Sequence, residues 1–177
     1  MFRIIKKILK KLKKEKNIIE QLRDRGVKIG QNVDIINSNI DGCHGFLITI
    51  GNNVTITNET LLAHDASTKK FIGYTKVGRV DIGDNVFIGY GAIILPNTKI
   101  GNNVIIGAGS VVAKNIPDNS VVIGNPCRIV CTFDDYVEKN KAQLDKKPTY
   151  NTLFTHKTQE EKDKMYIELS DTIGYDL

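Results

Sequence analysis

From Ile82 onward, every sixth residue is a β-branched aliphatic: Ile82, Ile88, Ile94, Ile100, Ile106 and Val112. Glycine directly follows four of these, at Gly83, Gly89, Gly101 and Gly107. Four residues after several of them stand Val86, Ala92, Val104 and Ser110, which are small or β-branched. A period of six matches neither the 3.6 of a helix nor the 2 of a strand. It fits a short strand followed by a corner, repeated, with Gly, Asn and Asp taking the left-handed backbone that corners need. Three such units close one triangular coil, and coils stack at about 4.8 Å. The spacing therefore predicts an all-β solenoid, a parallel β-helix with full coils at 82–99 and 100–117. Weaker copies lie upstream in "IGQNVDI" (29–35) and "IGNNVTITNETLL" (50–62).

The rhythm breaks twice. Counting forward from Ile50 gives Ile56, Leu62, Thr68 and Tyr74, while counting back from Ile82 gives Lys76, Lys70 and His64. Neither series fits, so residues 63–79 are predicted to leave the wall as an extended loop. The second break lies in "DGCHGF", because positions 29 and 50 are 21 apart rather than 18 or 24. Each break carries a histidine, and long loops that interrupt a packed wall are usually functional.

Outside the solenoid the pattern changes. In "MFRIIKKILKKLKKEKNIIEQLRDRG", residues Ile5, Ile8, Leu9, Leu12, Ile19 and Leu22 fall mostly at helical spacing, with lysines between them. A basic amphipathic helix over residues 1–26 is expected, docked on the body or another subunit, or lying on anionic lipid through residues 1–25. Residues 1–28 hold eleven Lys/Arg against three Asp/Glu, and the remainder hold fourteen against seventeen. The body is thus no basic nucleic-acid surface. Apolar runs are too short for a secretory signal or a membrane span, so a cytoplasmic protein is expected, peripheral to the inner membrane face where the arm binds lipid. Three cysteines are too few for a disulfide framework, and without a CxxC pair no metal site is expected. The main domain spans 27–131, followed by a helical extension over 132–177. In that extension "TFDDYVEKNKAQLDKK" reads as a helix broken by Pro148, and Thr158 with Glu161 forms a capping-box pattern ahead of Met165, Tyr166 and Leu169. The tail is expected to pack on its own or a neighbouring prism, closing the open strand edges.

The run "IGDNVFIGYGAIILPNTKIGNNVIIGAGSVVAKNIPDNSVVIGNPCRIV" (82–130) resembles the hexapeptide-repeat acyltransferases, particularly the galactoside and maltose O-acetyltransferase branch, over about residues 27–131. The resemblance implies a left-handed coil and a homotrimer with active sites between subunits. It also implies acetyl-CoA as cosubstrate, with no metal. In such relatives an extended loop at this place begins with the catalytic histidine, which points to His64 as general base. Asp65 is the candidate to orient it, although adjacent side chains in an extended segment point apart. Asn37, Asp41 and His44 are acceptor-side candidates by the same likeness. Tyr90 matches the position whose backbone N–H serves the oxyanion. Ala108, Ala113 and Lys114 match cofactor contacts, and Arg128 matches a cation for the nucleotide phosphates. Relatives often carry a second arginine three residues later, where this chain has Cys131. His156 reads as a surface residue.

The expected function is acetyl transfer from acetyl-CoA to a sugar or glycan hydroxyl, as in capsule or O-antigen polysaccharide, with direct attack and His64 as base. The alternatives are N-acetylation of an amino sugar, or a non-catalytic β-helix scaffold. The long helical domain of serine acetyltransferases and the nucleotide-binding domain of sugar-nucleotide N-acetyltransferases have no counterpart here. Histidines at 44, 64 and 156 do not suit the three-histidine metal site of gamma carbonic anhydrases.

Overall fold

The computed structural model describes residues 17–177, and they divide into two compact units at residues 133 and 134. The expected basic helix therefore lies mostly outside the described residues. Its last part is present as α1 (Ile18–Asp24). Asn17 caps this helix, its side chain accepting from the Glu20 N–H while Glu20 reaches back to the Asn17 N–H. Leu22 is buried in the core, so α1 docks on the base of the solenoid. The Arg23 guanidinium donates to the carbonyls of Ile29 and Gly30, satisfying part of the first coil's open edge.

The chain then visits three parallel sheets in rotation. The strands are β1 (Lys28–Ile29), β2 (Val33–Ile36), β3 (Asn39–Ile40), β4 (Ile48–Ile50), β5 (Val54–Thr57) and β6 (Thr60–Leu61). A projecting hairpin follows, β7 (His64–Asp65) and β8 (Lys76–Val77). The rotation resumes with β9 (Val80–Ile82), β10 (Val86–Ile88), β11 (Ile93–Ile94), β12 (Thr98–Ile100), β13 (Val104–Ile106), β14 (Val111–Val112) and β15 (Ser120–Ile123). The first sheet is β1-β4-β9-β12, and the third is β3-β6-β11-β14. The second sheet runs β2-β5-β10-β13-β15 and ends on β16 (Arg128–Thr132), which pairs antiparallel with β15. That antiparallel strand covers the last edge of the second sheet.

The predicted six-residue row is the core. Ile82, Ile88, Ile94, Ile100, Ile106 and Val112 are all at most 3% exposed. So is the row four residues later: Val86, Ala92, Thr98, Val104, Ser110 and Ile116. Each buried aliphatic contributes roughly 1.5–3 kcal/mol. The corners are polar ladders. The side chains of Asn32, Asn53 and Asn85 each donate to the next asparagine, ending on the Asn103 oxygen, at 2.9–3.0 Å, and all four residues have positive φ. At Gly83 a Cβ would sit 2.7 Å from the Gly101 carbonyl oxygen, so the stacking leaves no room for a side chain.

One expectation in the wall is corrected. Leu61, not Leu62, continues the buried row and pairs with Ile94. The corner at Thr57–Glu59 is one residue shorter than the corner at Gly89–Ala92, so the beat advances by five there. Glu59 thereby takes the interior place that Ala92 holds in the next coil.

The second unit, residues 134–177, holds most of α3 (Phe133–Leu144) and all of α4 (Gln159–Glu168). Thr158 and Glu161 form the expected capping box. A short parallel pair, β17 (Thr149–Tyr150) and β18 (Tyr175–Asp176), ties the segment after α3 to the unit's C-terminal end. Among the described residues no helix is long and apolar enough to cross a membrane.

Candidate functional site

Both insertions emerge from the same edge of the prism, where the third sheet turns toward the first. The Asp41 N–H donates to the Leu61 carbonyl, and the Leu62 N–H donates to the Ile94 carbonyl. Residues 41–47 and 62–79 thus start one above the other. The upper insertion is no irregular loop. His64 pairs with Val77 and Asp65 with Lys76 in a two-stranded antiparallel ladder. A 3-10 turn (Ala66–Thr68) and the one-turn helix α2 (Lys69–Ile72) form its tip.

Asp41 is buried and held by four donors. Its Oδ1 accepts from the N–H groups of Cys43 (2.9 Å) and His44 (3.0 Å), and its Oδ2 accepts from the Ala63 N–H (3.0 Å). The same Oδ2 is hydrogen-bonded to Nδ1 of His64. Burial opposes the charge on Asp41, but the bonds from His64 and the three backbone groups outweigh it. They lower its pKa from the usual 3.8 to about 2. A carboxylate that only accepts places the His64 proton on Nδ1, which leaves the Nε2 lone pair free.

Asp65, expected beside His64 as its orienting group, points elsewhere. Its carboxylate meets Lys76 Nζ at 2.6 Å and caps the 3-10 turn through the Ser67 N–H at 2.9 Å. The Lys76 bond holds its pKa well below the usual carboxylate range. Alternation along β7 is the reason: His64 and Asp65 face opposite sides. The neighbour of His64 is instead Asp41, 23 positions earlier.

His44, an acceptor-side candidate, lies beside this pair. Its ring centroid is 4.9 Å from that of His64 and 6.0 Å from that of Phe46. Phe46 is 62% exposed. It sits on a 3-10 turn (Gly45–Leu47) seated against the end of α1, where a Cβ on Gly26 would come 3.2 Å from the Phe46 Cα. Sequence reasoning missed Phe46, because nothing in "DGCHGF" marks an outward aromatic.

The remaining candidates fall on two edges of the third sheet. Ala113 lies two coils above Leu62 on the histidine edge, since the Leu95 N–H donates to the Val112 carbonyl, and exposed Lys114 follows it. Tyr90 and Ala108 lie on the opposite edge, where the Gly109 N–H donates to the Tyr90 carbonyl at 2.9 Å. Asn37 belongs to that opposite edge too, because the Asn58 N–H donates to Ile36 and the Gly91 N–H donates to Asn58. The strand β11 (Ile93–Ile94) and its flanking corner residues separate Tyr90 from Leu95. One chain therefore brings Asp41, His44 and His64 together, and does not bring Asn37, Tyr90 or Ala108 to them. Arg128 is exposed at the start of β16.

Comparison with known proteins agrees with this architecture. Residues 79–114 match the family model described as Bacterial transferase hexapeptide (six repeats). The chain is 40% identical over 156 residues to Protein CapG of Staphylococcus aureus, covering 83% of this chain and 91% of that one. A maltose O-acetyltransferase from Clostridium difficile 630 superposes with a TM-score of 0.50 at 34% identity, covering 68% of this chain and 78% of the other. A galactoside acetyltransferase in complex with coenzyme A gives 0.53 at 27% identity, covering 71% and 76%. With its three rotating parallel sheets and its buried six-residue row, the chain belongs to the hexapeptide-repeat acyltransferase family.

Proposed function

We propose that this acyltransferase moves an acetyl group from acetyl-CoA to a hydroxyl of a sugar or glycan, with His64 as general base and Asp41 as its positioning residue. The Asp41–His64 pair at the foot of the projecting hairpin carries this reading. A hydroxyl is a weak nucleophile until a base takes its proton, and imidazole suits that task near neutral pH. Nε2 of His64 accepts the proton as the hydroxyl oxygen attacks the thioester carbonyl. Negative charge then collects on the carbonyl oxygen, where the Tyr90 backbone N–H donates to it. Collapse breaks the C–S bond, and the departing thiolate takes the proton back from the imidazolium. Asp41 stabilises that imidazolium and keeps Nδ1 protonated.

The two edges explain why a second copy is needed. In a homotrimer with a left-handed coil, as in the resemblance, the histidine edge of one protomer faces the Tyr90 edge of its neighbour. Coenzyme A then runs in the groove between them, past Ala108, Ala113 and Lys114, toward Arg128. The hairpin supports this arrangement, because Phe71, Ile72, Tyr74 and Val77 are all more than half exposed in the single chain. On the acceptor side, the row His64–His44–Phe46 offers the apolar face of a pyranose ring an aromatic platform. Similarity to the galactoside and maltose enzymes supports a carbohydrate acceptor.

Thiol release from acetyl-CoA, measured over a panel of methyl glycosides and capsule-type oligosaccharides with mass spectrometry of the acceptor, tests the reading. A 42-dalton gain on a sugar oxygen supports it, 42 being the added acetyl mass (~42). Acetylation confined to amines, or no acetylated sugar, contradicts it.

A further inference from the structure

The Asp41 carboxylate faces two imidazoles, and the proposed chemistry uses only one. Nδ1 of His64 is bonded to Oδ2. Nδ1 of His44 lies 3.9 Å from Oδ1, is buried, and has no hydrogen-bond partner among the described residues. A buried ring nitrogen without a partner is costly unless something occupies its lone pair or takes its proton. One ligand atom from each of Asp41, His44 and His64 lies within 4.8 Å of the others.

We propose that Asp41, His44 and His64 form a reversible binding site for a divalent transition ion of the zinc class, which switches the acyltransferase off. Two imidazoles and one carboxylate are the donor set that such ions take, and a carboxylate fixed by three backbone N–H groups is a pre-organised ligand. Tetrahedral zinc needs neighbouring donors about 3.3 Å apart at its usual bond lengths of about 2.0–2.1 Å. To reach that spacing the His44 ring would turn toward Asp41 Oδ1, now 3.9 Å away, and the bonded His64 and Asp41 atoms would part to admit the ion.

The consequence follows from proton balance. In the Asp41–His64 pair, Nδ1 carries the proton and Nε2 carries the lone pair. An ion on Nδ1 displaces that proton to solvent while Nε2 takes one up, so the neutral, metal-bound ring of His64 carries its hydrogen on Nε2. Nε2 becomes a donor and no longer accepts a proton from the acceptor hydroxyl. Inhibition thus works by changing the tautomer and leaves the coenzyme groove open. The metal site stands on geometry alone, and only this inhibitory consequence rests on His64 being the base.

The test uses the full chain, stripped with chelator. Calorimetric titration with zinc chloride and the visible absorption of bound Co2+ read the site without any turnover. Wild type is expected to take one ion per chain with a tetrahedral Co2+ spectrum. H44Q and, separately, H64Q are expected to weaken binding about tenfold or more. Long-range 15N–1H spectra are expected to show zinc moving the His64 hydrogen to Nε2. In the assay, zinc is expected to lower kcat without raising the KM for acetyl-CoA, and chelator restores it. No stoichiometric binding by wild type, equal affinity in H44Q, or a His64 tautomer indifferent to zinc overturns the proposal. A metal-free protein that binds zinc as described but acetylates nothing overturns the functional reading and leaves the metal site standing.

Discussion

Asp41 and His64 meet through Oδ2 and Nδ1 although three strands, β4, β5 and β6, separate them in the chain. The carboxylate is fixed by the Cys43, His44 and Ala63 N–H groups, so the imidazole has one tautomer and one orientation. Asp41→Asn places an amide against Nδ1 and stabilises the wrong tautomer. We expect kcat to fall by about 10²- to 10⁴-fold with the KM for acetyl-CoA unchanged. Asp65→Ala, which frees Lys76 instead, is expected to keep kcat within about threefold. Steady-state kinetics of the two variants separates the roles.

Acid unfolding reports the same carboxylate. Its folded pKa is about 2 against an ordinary 3.8, so its contribution is fully present above about 4 and is lost as pH falls through about 2. At 1.36 kcal/mol per pKa unit this amounts to about 2 kcal/mol. Denaturant melts of wild type between pH 5 and 2 are expected to lose that stability, and Asp41→Asn is expected to lack that part of the slope.

Glu59 predicts the opposite trend. It is 1% exposed, and among the described residues neither carboxylate oxygen has a hydrogen-bond partner. The nearby Ser38 hydroxyl donates to the Ile36 carbonyl instead. Burial raises the Glu59 pKa above its ordinary 4.5. The folded state then holds this proton more tightly than the unfolded chain, so stability falls as pH rises above about 4.5 and levels off beyond the raised value. Glu59→Gln is expected to raise Tm at pH 8 by about 3–8 °C and to leave it nearly unchanged at pH 4.

Phe46 tests the acceptor platform. Phe46→Ala is expected to raise the KM for the sugar about three- to tenfold, with kcat and the KM for acetyl-CoA little changed. Phe46→Trp is expected to restore binding. Equal acceptor KM in wild type and Phe46→Ala contradicts a stacked sugar.

The solenoid was readable from Ile82 onward because each interior position repeats every six residues and each corner needs Gly or Asn. The upstream coils were harder to read because the Asn37–Ser38 and Asn58–Glu59 corners are one residue short, which shifts Leu61 into the place expected for Leu62. The sequence offers Asp41 as an acceptor-side candidate and favours Asp65, by adjacency, as the partner of His64, whereas the His64 ring is bonded to Asp41. The missing signal was present in the breaks themselves. Aligning the coils through both insertions stacks position 41 under position 62, which places the two loops at one edge. No spacing rule reveals Phe46 or the His44–His64 approach, because both depend on how the short loop seats against α1.

Turnover and acetyl-CoA binding of His64→Ala, measured in the same preparation, decide whether this imidazole is the base. Retained acetyl-CoA affinity with kcat lowered about a thousandfold or more is the predicted result. A variant that still transfers acetyl to a sugar at near wild-type rate contradicts that role for His64.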